Sequence, residues 1–114
     1  MKKYIRATRM TYHEFMDMIR PIYNEIAQAL RQYTDFNCWQ GIHRYNRDGT
    51  ARVQLGFGIF DGTEPPTAKD ARRAVLEAIQ HCSPELQGRI VKVTCGYQMD
   101  RGGTNPVVGI TVTL

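Results

Sequence analysis

Residues 36 to 60 constrain this chain more than any other stretch. Ala51, Val53, Leu55, Phe57 and Ile59 alternate with Arg52, Gln54, Gly56, Gly58 and Phe60. A period of two marks a strand with one buried face. Asp48-Gly49 falls between this run and the one before it. That dipeptide predicts a two-residue hairpin turn, because a type I′ turn needs positive φ at both central residues. Closing the hairpin there pairs Arg44 with Val53, Ile42 with Leu55, Gln40 with Phe57 and Cys38 with Ile59 on the inner face. The outer face then carries Tyr45 opposite Arg52, His43 opposite Gln54, Gly41 opposite Gly56, Trp39 opposite Gly58 and Asn37 opposite Phe60.

The flanking segments supply partners for this hairpin. Thr11 and Glu14 form a capping box, with Met10 and Phe15 placed as its hydrophobic staple. The predicted helix carries an apolar stripe at Phe15, Ile19, Ile22, Ile26, Leu30 and Tyr33. The stripe keeps its phase across Pro21, so the expectation is one kinked helix, not two. Met16, Tyr23 and Ala27 widen the apolar face, which fits either the edge of a core or a subunit contact. Thr67 and Asp70 start a second helix, about Ala68 to Cys82, with Ala71, Val75, Ala78, Ile79 and Cys82 inward. Two further strands follow, about 89 to 98 and 107 to 114, with Val91, Val93, Cys95 and Tyr97 alternating on the first.

The order is therefore helix, hairpin, helix, hairpin, and the halves echo each other. Asn46-Arg47-Asp48-Gly49-Thr50 parallels Asp100-Arg101-Gly102-Gly103-Thr104, and Thr11 parallels Thr67, at offsets of 53 to 56 residues. A duplicated αββ unit produces such a pattern, as does convergent turn chemistry. At 114 residues the chain reads as one domain. Residues 1–10 form a basic N-terminal arm or short edge strand, 11–62 the first αββ unit and 63–114 the second. The expected fold is an α+β two-layer sandwich: a four-stranded, mostly antiparallel sheet with two helices on one face. The other face stays open. This order resembles, at the level of topology, the LAGLIDADG-type homing endonucleases. Their acidic helix-end motif is absent from Asn24-Glu25-Ile26-Ala27-Gln28-Ala29-Leu30, so no family follows from it.

The open face holds the candidate binding surface: Trp39, Gly41, His43, Tyr45, Arg52, Gln54, Gly56, Gly58 and Phe60. Glycine inside a strand marks close approach by a ligand, a backbone or a ring. Aromatics and arginines on an open sheet suit unpaired bases, whereas exposed aromatic patches in general mark protein partners. Trp39 packing on its own glycines would explain the same residues. Arg44, Arg47 and Arg101, with Lys2, Lys3 and Arg6 of the arm, are possible anion contacts, although the turns lack the spacing of a phosphate loop.

Cys38, Cys82 and Cys95 match no metal or redox spacing, Cys95 reads as core, and the carboxylates are scattered singly. The expectation is no cofactor, no metal and no catalysis. No stretch approaches the length of a membrane span, and no signal-peptide pattern is present. The protein is expected to be a small cytosolic binding or regulatory protein, an inhibitor or adaptor, forming a homodimer and acting on a protein partner. The alternative is a nucleic-acid or nucleotide binder using the open face, since a net charge of +4 is a thin electrostatic footprint.

Overall fold

A computed structural model describes residues 10–58, 66–100 and 103–114. Helix α1, Tyr12–Tyr33, begins at Thr11, whose hydroxyl accepts the Glu14 backbone N–H at 3.0 Å. It runs unbroken through Pro21, which faces solvent. It ends at Thr34, whose backbone N–H and hydroxyl both reach the Leu30 carbonyl. Strands β1 (Trp39–Gln40), β2 (Arg44–Tyr45) and β3 (Thr50–Gly56) follow. Helix α2, Ala68–Gln80, repeats the threonine cap: the Thr67 hydroxyl accepts the Asp70 N–H at 3.1 Å. A short α3, Pro84–Arg89, starts from Ser83, and strands β4 (Ile90–Asp100) and β5 (Gly103–Thr113) complete the chain. Residues after Cys82 thus form a helix the sequence pattern did not predict, with proline at its first turn, where the missing N–H costs nothing.

The sheet is antiparallel, ordered β1–β3–β5–β4, with β2 in line with β1 on the same edge of β3. It is therefore four strands wide, with the second strand of each hairpin central. Helices α1 and α2 pack on each other and on one face, α1 over β3 and α2 over β4 and β5. The core joins Ile19, Ile26 and Leu30 of α1, Ala71, Val75 and Ala78 of α2, and Val53, Leu55, Phe57, Val108, Ile110 and Val112 of the sheet. Each large apolar side chain so buried contributes about 1.5–3 kcal/mol. The α+β two-layer sandwich read from the sequence is the fold observed.

The first hairpin departs from its expected register. The Asn46 N–H donates to the Thr50 carbonyl at 2.8 Å, enclosing the three residues Arg47, Asp48 and Gly49, with Gly49 at φ 87°. This is the three-residue loop with glycine in the left-handed position. The Asp48 carboxylate, at the middle of the loop, accepts from the Thr50 N–H and hydroxyl and ties the loop to the start of β3. Arg44 consequently faces Arg52, and Tyr45 faces Ala51. A further slip before β2 leaves Trp39 opposite Gly56 and Gln40 opposite Leu55. Each one-residue slip turns a side chain to the other face. Tyr45 therefore packs edge-on against Phe15 of α1, ring centres 5.9 Å apart, and Arg44 occupies the open face.

The second hairpin corrects three other expectations. A register shift between Ile90 and Lys92 throws Val91 out to solvent. Cys95 and Tyr97 point to the helix side, yet both are exposed. Cys95 is accordingly a surface thiol and not part of the core. The first-hairpin residue Ile42, expected against the helices, is 65 % exposed in the gap between β1 and β2.

Candidate functional site

Two surfaces combine geometry and chemistry: the open sheet face and the outer edge of β4. On the open face, the three glycines predicted to form a flat floor are already occupied. A methyl group on Gly56 would lie 2.2 Å from Trp39 Nε1, and one on Gly58 would lie 2.3 Å from Trp39 Cη2. The indole thus spans both glycines while remaining 38 % exposed. Gly41 makes room for the Gln54 side chain in the same way, and Gly109 of β5 for the Arg52 guanidinium. The close approach that those glycines signalled is made by the chain's own Trp39, Gln54 and Arg52.

A polar chain crosses this face. Arg52 Nη1 donates to Gln54 Oε1, and Gln54 Nε2 donates to Gln98 Oε1 at 2.7 Å. Trp39, Gln54 and Gln98, with Asn105, border a cleft of about 240 Å³. Arg52, Lys92, Thr94 and Thr111 border a second, about 470 Å³, at the turn end. Arg44 and Arg52 face each other across the ladder, and no salt bridge involves either among the described residues. Burial, and then the charge of Arg44, lower the Arg52 pKa from its usual value.

His43 belongs to neither cleft. The Gly41 N–H donates to the Gln54 carbonyl, but the Gln54 N–H donates to His43 Nδ1 at 3.0 Å. An imidazole nitrogen thus stands where the ladder would use a main-chain carbonyl, across the break between β1 and β2. Its ring lies 5.7 Å from that of Tyr23 on α1. With Nδ1 accepting, the proton resides on Nε2, which is buried without a partner. Burial lowers the His43 pKa. Tyr23 in turn contacts Cys38 Sγ at 3.8 Å. Burial raises the pKa of both groups, the hydrogen bond to Tyr23 pulling that of Cys38 the other way. Cys82 is pushed up to about 11, first by burial and then by Glu25. Neither buried thiol is poised as a nucleophile.

The β4 edge was not singled out by sequence reasoning. Pro106, opposite Tyr97 on β5, gives its carbonyl to the Phe57 N–H just beyond β3 at 2.9 Å, so the even-numbered residues of β4 from Lys92 on exchange hydrogen bonds with β5. The odd ones turn their N–H and C=O groups outward. Arg72 of α2 supports this assignment, donating from Nε to the outward Val93 carbonyl at 3.0 Å. Beyond Val93, the outward groups of Cys95, Tyr97 and Met99 face away from the sheet, and among the described residues no strand lies on that side. Val93 through Met99 carries no charge. Tyr97 is 59 % and Met99 80 % exposed, the Tyr97 hydroxyl accepting the Ala68 N–H at 3.1 Å. The signal available in the sequence was seven uncharged residues in an alternating strand; which edge they occupy was not.

Of the predicted surface residues, Trp39, Gly41, Arg52, Gln54, Gly56 and Gly58 share the open face and Arg44 joins them, whereas His43 and Tyr45 turn away. Arg47 lies exposed in the turn. Phe60, Arg101, Lys2, Lys3 and Arg6 lie outside the described residues, as does the expected N-terminal edge strand. No group of three metal-ligating side chains gathers among the described residues. No helix among them is long and apolar enough to cross a membrane. Compared with the profiles of known protein families, with characterised proteins and with solved structures, the chain matches none.

Proposed function

We infer that this is a small, non-catalytic binding protein that regulates a protein partner by contact, as an inhibitor or adaptor, with the outer edge of β4 as its contact site. One observation carries this reading. The eleven-residue strand β4 has no strand outside it among the described residues, and it exposes Cys95, Tyr97 and Met99 without a charge between Val93 and Met99. Proteins ordinarily blunt such an edge with charge, proline or a covering element. The opposite edge is blunted: β1 and β2 are two residues each and interrupted. The free thiols suit a reducing cytosol.

A photo-crosslinking amino acid at position 99, irradiated in cells, tests this reading. A discrete protein adduct is expected. Absence of an adduct from position 99, with adducts formed from position 39, would reject it.

A second reading is favoured by the Arg44–Arg52 juxtaposition, since like charges opposite one another weaken a ladder. An anion on the open face would relieve that repulsion. Single-stranded nucleic acid would place phosphates at Arg44, Arg52 and Lys92 and a base against Trp39. Quenching of Trp39 fluorescence by a short oligonucleotide, lost at higher salt and in Arg52→Ala, is the expected signature. Unquenched emission at low salt would reject it.

A further inference from the structure

We propose that the β4 edge accepts an extended acidic segment of the partner protein as an added strand. The proposal rests on the function above and names the partner's chemistry. Outward main-chain donors and acceptors recur at every second residue, roughly 6.8 Å apart. Only another polypeptide in extended form matches that repeat with alternating acceptors and donors. Phosphates would satisfy the N–H groups and leave the carbonyls unpaired.

The edge also limits where the segment lies. The register shift at Ile90–Lys92 bends the strand start, and Arg72 occupies the Val93 carbonyl. Pairing therefore runs from Cys95 to Met99. There the helix-side face offers Cys95, Tyr97 and Met99 to alternate side chains of the incoming strand.

Charge selects an acidic occupant. Lys69 and Arg72 lie one helical turn apart on α2, and Arg72 reaches the edge of β4. The acidic residues of α2, Asp70 and Glu77, instead line a cleft with Tyr33 and Phe36 towards α1. Lys92 stands on the open side of the same strand, paired across to Thr111. Among the described residues no salt bridge involves Lys69, Arg72 or Lys92. The edge is thus uncharged from Val93 to Met99, with Lys69 and Arg72 on the helix side and Lys92 on the open side.

A second copy fits less well. Ala68 donates to Tyr97 while Arg72 reaches Val93. Antiparallel self-pairing centred near Cys95 would set Val93 opposite the other copy's Tyr97. That brings Arg72 towards the second copy's Lys69, twice over. Like charges across an interface oppose such pairing.

The test uses the full chain and two blocked peptides of alternating valine and threonine, one carrying three glutamates and the other three lysines. Amide hydrogen exchange is followed by NMR at millimolar peptide. The glutamate peptide is expected to slow the Cys95, Tyr97 and Met99 amides about tenfold or more. Thr94, Gly96 and Gln98, already bonded to β5, should not change. The lysine peptide should have little effect, and the exposed double variant Lys69→Glu/Lys92→Glu should reverse the preference. Equal protection by both peptides, or none by either, overturns the proposal. So does protection already present without peptide and lost on dilution, which identifies a second copy. A position-99 protein crosslink with no response to the glutamate peptide rejects the acidic strand and leaves the contact site standing; failure of both rejects both.

Discussion

His43 illustrates how one side chain closes a local defect and makes stability depend on pH. Its Nδ1 accepts the Gln54 N–H only while unprotonated, and its pKa is held below the usual value by burial. As pH falls past the unfolded value, about 6.5, the unfolded chain takes up a proton before the folded one. Stability is therefore complete above about pH 6.5 and declines as pH falls toward the folded pKa. Urea midpoints from pH 7.5 to 5 should fall for the parent and stay flatter for His43→Gln, whose side-chain carbonyl accepts the same bond at all pH values. His43→Ala should cost about 1–3 kcal/mol at neutral pH by leaving a half-buried N–H unpaired. The glycines under Trp39 make a second residue-scale prediction. Gly56→Ala places a methyl against the indole, and either the ring lifts or the strand shifts, at about 1–3 kcal/mol. The tryptophan emission should move to the red as the ring leaves its seat; unchanged emission and stability would contradict the contact.

Among the elements, α1 is the clearest case of tertiary packing overriding a local cost. Pro21 cannot donate to Asp17, yet the helix continues because Ile19, Ile22, Ile26 and Leu30 are all buried on one side. Pro21 itself faces solvent, so Pro21→Ala creates no cavity. It should stabilise the fold by about 2 kcal/mol, the helix-interior cost less the loss of rigidity in the unfolded chain. A raised denaturation midpoint with unchanged m-value checks it. Further along, Glu25 of α1 accepts the Ser83 N–H at 2.6 Å and also meets the Ser83 hydroxyl. This link fastens the start of α3 to α1. Its glutamate lies on the helix's half-buried flank, which period-3.6 reasoning alone treats as solvated.

At the scale of the molecule, the two sheet edges are unequal. The β1/β2 edge is broken and sealed by His43, whereas β4 runs eleven residues with no strand beyond it among the described residues. The cysteines report this asymmetry. Cys38 and Cys82 are buried with raised pKa values, while Cys95 is exposed. A thiol reagent should label one cysteine rapidly in the native protein and the other two only on unfolding. Protection of Cys95 by the partner would then map the contact without any substitution.

Much of this was legible in the chain itself. The threonine caps, the apolar stripe of α1, the alternation of β3 and the two-layer α+β sandwich follow from spacing and capping chemistry, which act over a few residues. The open-face position of Trp39, with the glycines beside it, was legible for the same reason. Register was not. Aspartate bonding to Thr50 selected a three-residue turn, and each one-residue slip exchanged faces, sending Tyr45 inward and Arg44 outward. Nor was strand order legible, because it depends on which hydrogen-bonding edges meet once the helices are seated. That order places β4 outermost and leaves Cys95, Tyr97 and Met99 exposed, although their alternation matches that of a buried strand. Local periodicity determines which way a side chain points; only tertiary packing decides whether anything covers it.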